Sequence, residues 1–260
     1  MNRSSHSSPS LEDDGSPPTP PPAPRALLRS PTNRVAVSYT LLTITGMVYL
    51  VQLASQWFLG SDLPAALGLK ANALILQGQI WRLITPVFLH GSILHLGFNM
   101  YALYLFGPGL ERHFGPARFL ALYLLSGFAG NVLSFIFSTA PSLGSSTAIF
   151  GLLGAEGVFL YRNRGVFGGF ARRALSNIVM IALVNLVIGL TPGIDNWGHL
   201  GGLLGGTLFA WFGGPLLDLE GIYPILTVTD RRSRSEVLLA GLGVGLLFAL
   251  LVVLTALIRR

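Results

Sequence analysis

Residues 195–206 read DNWGHLGGLLGG and place one histidine, His199, in an apolar stretch beside glycines at 198, 202 and 206. Glycines four residues apart lie on one face of a helix, and a face of small residues lets a second helix approach closely inside a membrane. A face built only for packing has no use for an imidazole. The stretch therefore predicts a tightly packed helix that carries a functional histidine.

A matching face lies in residues 144–155, which read GSSTAIFGLLGA. Its small residues recur on one side of the predicted helix: Thr147, Gly151 and Ala155. Packing of this face against the glycines around His199 brings the imidazole to a serine at the start of the helix. A serine hydroxyl is a weak nucleophile that needs such a neighbouring base.

Ser146 also has a plainer explanation, because it follows a loop, where serine is a common N-cap. Ser145 stands beside it as a second candidate nucleophile. No acid is placed to complete a triad. Asp195 precedes His199 by one helical turn and is a candidate cap, while Glu156 lies about 15 Å along the helix from the serines. The pattern therefore favours a dyad of Ser146 and His199.

His95 and Asn99, in the stretch HGSILHLGFNM (residues 90–100), are further polar groups in an apolar setting. They are four residues apart and therefore share one face of a helix. Such a pair can hold two membrane helices together by hydrogen bonds. Beside a nucleophile, the same pair can stabilise a developing oxyanion. Both interpretations stay open at this level.

The composition predicts a membrane protein. Of the 260 residues, 51% are hydrophobic and only 11% are charged, whereas soluble domains carry about 25% charged residues. Cysteine is absent, which excludes disulfides and thiolate metal sites. Each apolar run of about 20 residues can cross a hydrocarbon core of about 30 Å. We predict an all-α protein with seven spans, at residues 36–58, 93–108, 117–139, 146–161, 174–190, 197–213 and 237–258.

The predicted domain plan follows these spans. Residues 1–33 are rich in Ser and Pro and are expected to form a disordered cytoplasmic tail. The rest divides into a six-span core, a cytoplasmic connector and a seventh transmembrane helix, at residues 34–214, 215–236 and 237–260.

Basic residues predict the orientation of the chain. With the N-terminus in the cytoplasm, most of the 17 basic residues fall on the inner side, and the exceptions are Lys70, Arg82, Arg259 and Arg260. The two terminal arginines argue against this topology, and they would lie inside if the last span did not cross. Arginines placed between apolar runs indicate topology rather than nucleic-acid binding. Their prevalence over lysine favours a bacterial plasma membrane.

Five stretches together resemble the rhomboid family of intramembrane serine proteases. GSSTAIFGLLGA is similar to the element that carries the family's nucleophile, HGSILHLGFNM to its HxxxN element, and NWGHLGGLLGG to its (A/G)HxxGxxxG element. IWRLITPVFLH (residues 80–90) resembles the Trp-Arg element of the first loop, and LERHFG (residues 110–115) the Glu-Arg element after the second span. The similarity runs from about Gln79 to Gly214.

The resemblance implies a rhomboid-like bundle of six transmembrane helices with an additional seventh helix. It implies an endopeptidase that cuts single-span membrane proteins near the outer membrane face. Ser146 and His199 would be the catalytic pair, His95 and Asn99 would stabilise the oxyanion, and Phe150 would pack against the imidazole. No cofactor or metal is required. The expected partners are transmembrane substrates and the lipid bilayer, with the oligomeric state left open.

One position departs from the family's pattern, because Thr147 follows the nucleophile where the family has glycine. A β-branched residue is stiffer than glycine. Thr147 therefore motivates an alternative hypothesis, a catalytically inactive relative that binds client proteins. A small transporter is a third hypothesis, suggested by short glycine-broken helices and disfavoured by the lack of an internal repeat. The family's Gly-x-Ser spacing selects Ser146 over Ser145.

Overall fold

The computed structural model describes residues 27–29, 34–222 and 225–259. Most of these residues are helical. Apart from Leu27–Arg29, the predicted Ser/Pro-rich tail lies outside the described residues.

The helices follow the predicted spans closely. In chain order they are α1 (Val37–Leu59), α2 (Leu63–Gly68), α3 (Asn72–Leu76), α4 (Ile93–Phe114), α5 (Pro116–Phe137), α6 (Ser146–Arg162), α7 (Arg164–Phe167), α8 (Gly169–Ile188), α9 (Asn196–Gly213) and α10 (Arg234–Arg259). Two short 3₁₀ turns, Ile80–Leu83 and Thr85–Phe88, lie between α3 and α4. The clearest departures are α8, which begins before the predicted residue 174, and α4, which ends later than predicted.

Four helices are long and apolar enough to cross a membrane, namely α1, α5, α8 and α10. Helices α4, α6 and α9, which contain the polar residues of the predicted site, are not among them. Most residues of α6 are buried inside the bundle, so neighbouring helices cover most of its length. The chain is an integral, multi-pass membrane protein.

Helix α4 continues past Pro108, where the sequence predicted the second span to end. Proline lacks an N–H and usually kinks or ends a helix. The extra turns are held by Glu111, whose carboxylate accepts hydrogen bonds of 2.8–2.9 Å from the backbone N–H groups of Ala36, Val37 and Ser38. These N–H groups at the start of α1 have no partner within their own helix. The longer α4 is therefore explained by a tertiary contact.

A small sheet is added to the predicted all-α plan. Strands β1 (Leu27–Arg29), β2 (Leu217–Ile222) and β3 (Ile225–Asp230) are arranged in the order β1-β3-β2. Strand β3 pairs antiparallel with β2 and parallel with β1. The hairpin of β2 and β3 occupies the predicted connector, and it is attached to the start of α5 by an ion pair of 2.9 Å between Arg118 and Asp230.

The close contact between α6 and α9 organises the bundle. A Cβ atom on Gly202 would collide with the backbone carbonyl of Thr147, and one on Gly206 would collide with the backbone of Gly151. The predicted packing of the two small-residue faces is therefore confirmed. This contact places the start of α9 against the start of α6.

We expect Gly202→Ala to destabilise the protein and to reduce any activity of the site. The added methyl group meets backbone atoms of Thr147, which cannot rotate away, and overpacking of this kind costs about 1–3 kcal/mol. Gly243→Ala in α10 is the matched control, since a Cβ there meets nothing within 4 Å and alanine favours a helix. Thermal unfolding in detergent measures both variants. Equal melting temperatures would contradict the tight contact.

Candidate active site

A cavity of about 960 Å³ lies between α4, the loop from α5 to α6, α8 and the start of α9. All four predicted site residues line it: His95, Asn99, Ser146 and His199. The wall formed by α4 and α8 is mainly apolar and includes Phe98, Tyr101, Ala102, Leu105, Phe106, Ile181 and Ile188. The cavity thus contains both the polar side chains of the candidate site and an apolar wall.

Ser146 is the first residue of α6, and His199 lies in the first turn of α9. The Oγ atom of Ser146 is 2.9 Å from Nε2 of His199. The imidazole is only 7% exposed and stacks on Phe150, with 4.3 Å between ring centroids and 13° between planes. This stacking fixes the plane of the imidazole. The contact is short enough for a proton to pass from the hydroxyl to Nε2.

Asp195 caps α9 and does not hydrogen-bond the imidazole. Its Oδ1 atom accepts a hydrogen bond of 3.0 Å from the backbone N–H of Gly198, and its Oδ2 atom accepts a short one from the Ser134 hydroxyl. The capping interpretation is therefore confirmed. Within the described part of the chain, Nδ1 of His199 has no hydrogen-bond partner.

His95 approaches Ser146 across a glycine. A Cβ atom on Gly144 would lie 2.7 Å from Nε2 of His95 and 3.7 Å from Oγ of Ser146, so a side chain there would separate the two groups. Gly144 also has φ +133°, a conformation that side chains disfavour. Its backbone N–H donates to the carbonyl of Pro86 at 2.9 Å. The glycine therefore leaves room for the imidazole of His95 near Ser146.

Asn99 lies one turn further along α4 and is buried at the cavity wall. Its side-chain Nδ2 donates to the backbone carbonyl of His95 at 3.1 Å. An amide nitrogen carries two N–H groups, so this bond orients the side chain and leaves a donor for a ligand. Both polar residues of α4 thus line the cavity that contains Ser146, and among the described residues neither side chain has a hydrogen bond to another helix.

The structure contains a second Ser–His contact that the sequence reasoning missed. The Oγ atom of Ser145 is 3.3 Å from Nε2 of His90, and the ring of His90 meets that of His95 edge-on at 5.0 Å. His90 is 1% exposed and Ser145 is fully buried. Burial, together with the neighbouring His95, lowers the pKa of His90 to about 3, so this imidazole is neutral at physiological pH. Neither residue lines the cavity.

Thr147 fits its position because its neighbours on α5 and α9 are glycines. A Cβ atom on Gly130 would lie 2.6 Å from Cβ of Thr147, and one on Gly198 would lie 3.0 Å from its Cγ2. The threonine side chain fills the space that these glycines leave. The departure from the family's glycine is therefore compatible with the contact between Ser146 and His199.

Glu156 forms no ion pair among the described residues. The nearest arginine along α6, Arg162, instead donates to the backbone carbonyl of Trp211 at 2.7 Å. Its guanidinium lies over the indole ring, 4.9 Å from the centroid. Carbonyls at the end of α9 have no partner within the helix, so they attract this cation instead.

Arg259, which argued against a seventh crossing, has a local partner at the end of α5. Its guanidinium donates to the carbonyls of Phe135 and Ile136, each at 2.7 Å. Cations stabilise the carbonyl end of a helix. Helix α10 therefore ends at the same end of the bundle as Ser146. Its terminal arginine is explained as a cap on a neighbouring helix.

Comparison with known proteins identifies the family. The family model described as the Rhomboid domain matches residues 77–216, just over half of the chain. The chain belongs to the rhomboid family. The matched region contains every residue of the candidate site.

Curated members of the family include active and inactive proteins. Rhomboid protease GluP of Bacillus subtilis (strain 168) is 44% identical over 184 residues, which cover 70% of this chain and 34% of that protein. RHOMBOID-like protein 9, chloroplastic, of Arabidopsis thaliana is 33% identical over 180 residues, or 67% of this chain and 42% of that protein. Inactive RHOMBOID-like protein 8 of the same plant is 37% identical over 138 residues, which cover 53% of this chain and 39% of that protein. The chain spans between a third and a half of the length of these relatives.

Proposed function

We propose that this chain is an intramembrane serine endopeptidase in which Ser146 is the nucleophile and His199 is its base. The observation that carries the proposal is the contact of 2.9 Å between Oγ and Nε2 at the wall of a large cavity. Ser146 also stands at the start of α6, where free N–H groups favour negative charge. A base, a nucleophile and a site for an oxyanion therefore coincide.

The proposed reaction is acyl transfer. Nε2 of His199 takes the proton of Ser146 while Oγ attacks the substrate carbonyl. His95, Asn99 and the N–H of Ser146 stabilise the oxyanion. His199 then gives its proton to the leaving amine, and it later activates the water that hydrolyses the acyl-enzyme. These steps need only a dyad and no metal or cofactor.

The proposed substrates are single-span membrane proteins, cut near the outer face. The apolar side chains of α4 and α8 along the cavity suit a peptide that arrives from lipid.

We further propose a six-span core of α1, α4, α5, α6, α8 and α9, with α10 as a seventh span. Arginines lie at the starts of α5 and α8 and at the ends of α4 and α6. These helix ends are all at the end of the bundle opposite Ser146. The positive-inside rule then puts the N-terminus in the cytoplasm, and we propose a bacterial plasma membrane.

Purified protein and a single-span reporter in detergent test the proposal. We expect the protein to cut the reporter and to react covalently with a fluorophosphonate probe, which labels activated serines. Folded protein that does neither would favour the client-binding hypothesis instead. Labelling without cleavage of any reporter would leave an activated serine but exclude the proposed substrate class.

We expect Asn99→Ala to lower kcat by about 10- to 100-fold. Removing one oxyanion donor from a soluble protease costs about 10²–10³ in kcat, and here His95 remains. Asn185→Ala is the matched control, because this amide also lines the cavity and also donates to the carbonyl four residues earlier, at 2.8 Å. Its kcat should stay within about twofold of wild type. Initial rates over a range of reporter concentrations separate kcat from KM, and an unchanged kcat for Asn99→Ala would remove Asn99 from the oxyanion site.

A further inference from the structure

Lys70 is the only lysine among the 17 basic residues of the chain. It lies between α2 and α3 and has no exposed surface. Burial lowers its pKa to about 8, against the opposing effect of Asp195. Lysine is almost never fully buried unless it is paired, so the burial of Lys70 needs a structural explanation.

The ammonium group of Lys70 lies among three backbone carbonyls. Its Nζ atom is 2.8 Å from the oxygen of Ala140, 3.2 Å from that of Ser138 and 3.4 Å from that of Ser134. An ammonium carries three N–H donors on one atom, which matches three acceptors around one point. Two of these carbonyls belong to the segment that leads from α5 towards Ser146.

The arginines nearby bind carbonyls in a different way. Arg82 donates from its two terminal nitrogens to Leu69 and Ala66, and Arg259 likewise serves two consecutive carbonyls of α5. A planar guanidinium suits two separate acceptors, whereas an ammonium is a compact point charge. The single lysine therefore stands where three acceptors converge.

The backbone of Lys70 holds the same loop a second time. Its N–H donates to the carbonyl of Ser142 at 2.9 Å, and its carbonyl accepts from the N–H of Ser142 at 3.1 Å. The contact between Gly144 and Pro86 holds the loop just before Ser146. Lys70 thus holds residues 138–142, on the side of the loop that faces away from the cavity, through both its side chain and its backbone.

The other side of this loop forms a wall of the candidate active site. Its cavity-lining residues are Ser138, Ala140, Pro141, Ser142, Leu143 and Gly144. A substrate bound at Ser146 must lie against this wall. The dyad itself is held elsewhere, by the packing of α6 on α9. Lys70 therefore binds the wall and makes no direct contact with Ser146 or His199.

We propose that Lys70 is a positioning residue, whose ammonium group fixes the loop of residues 138–144 in the position that substrates of this site require. The inference rests on the proposed function. It separates two properties of the site: activation of Ser146, which is independent of Lys70, and placement of the substrate, which depends on it.

The test compares Lys70→Met and Lys70→Arg with wild type in detergent. Lys70→Met keeps the backbone contact with Ser142 and a similar side-chain length, but it removes the three donors. We expect kcat/KM for the single-span reporter to fall at least tenfold, while the fluorophosphonate labelling rate of Ser146 stays within about threefold. Lys70→Arg should not restore cleavage, because a guanidinium does not match three convergent carbonyls. Thermal unfolding of each variant verifies that it is folded.

Arg259→Met is the matched control, since it removes a cation that binds the same helix end without contacting the loop. Its cleavage rate should stay within about threefold of wild type. Three results would overturn the inference: wild-type cleavage by folded Lys70→Met, a parallel loss of labelling and cleavage, or an equal loss in Arg259→Met. A wild-type protein that is neither labelled nor active would overturn the proposed function and this inference with it.

Discussion

Replacing Ser146 with alanine is expected to abolish both reporter cleavage and fluorophosphonate labelling while leaving the fold intact. The hydroxyl that contacts His199 is lost, and no covalent intermediate can form. Loss of the nucleophile costs about 2 × 10⁶ in kcat in subtilisin, and we expect a loss of about 10⁴ or more here. The bundle should stay folded, because an alanine at this half-buried position removes one atom and one hydrogen bond, while the close packing of the small residues of α6 and α9 is unchanged. Melting temperature and labelling are measured on the same preparation.

Ser145→Ala is the matched control for this prediction. Its hydroxyl contacts the buried His90 and does not reach the cavity, so labelling and cleavage should stay within about tenfold of wild type. The stability cost of a lost hydrogen bond is about 1 kcal/mol. The opposite outcome, labelling that survives Ser146→Ala and vanishes in Ser145→Ala, would assign the chemistry to the second Ser–His pair.

Replacing His199 with alanine is expected to produce the second large loss, again about 10⁴-fold or more in cleavage, with much slower labelling. Among the described residues, His199 is the only hydrogen-bond partner of the Ser146 hydroxyl. Without it the hydroxyl keeps its proton and is a weak nucleophile. Residues that act as one catalytic unit are strongly non-additive. The double variant with Ser146→Ala should therefore be no slower than either single variant.

His113→Ala is the control for loss of an imidazole. His113 lies near the far end of α4, against Phe159 and Phe167, so cleavage should stay close to wild type. Additive losses in the double variant would show that the serine and the histidine act separately. That result would end the dyad interpretation, even if each single variant were slow.

The sequence by itself predicted where the long helices lie and which faces of two of them pack together. A helix in lipid must satisfy its backbone within itself, so the apolar runs predicted the seven long helices to within a few residues at most ends, although of these seven only α1, α5, α8 and α10 are long and apolar enough to cross a membrane. Glycines at 198, 202 and 206 faced Thr147 and Gly151 as predicted, because helical periodicity is a local property. The approach of Ser146 to His199 followed from the packing of those faces, so the sequence pattern was enough to predict this pair.

The tertiary structure alone decided how the site is supported. The carbonyls around Lys70 lie between 64 and 70 residues away in sequence, and the length of α4 depends on Glu111 binding the start of α1. It also separated Ser145, buried against His90, from Ser146 at the cavity, and it placed Gly130 where Thr147 needs space. Periodicity describes one helix at a time and carries no information about which distant backbone groups will meet. Those contacts form only when the helices assemble, because backbone groups left unpaired at helix ends and in loops take partners from neighbouring segments.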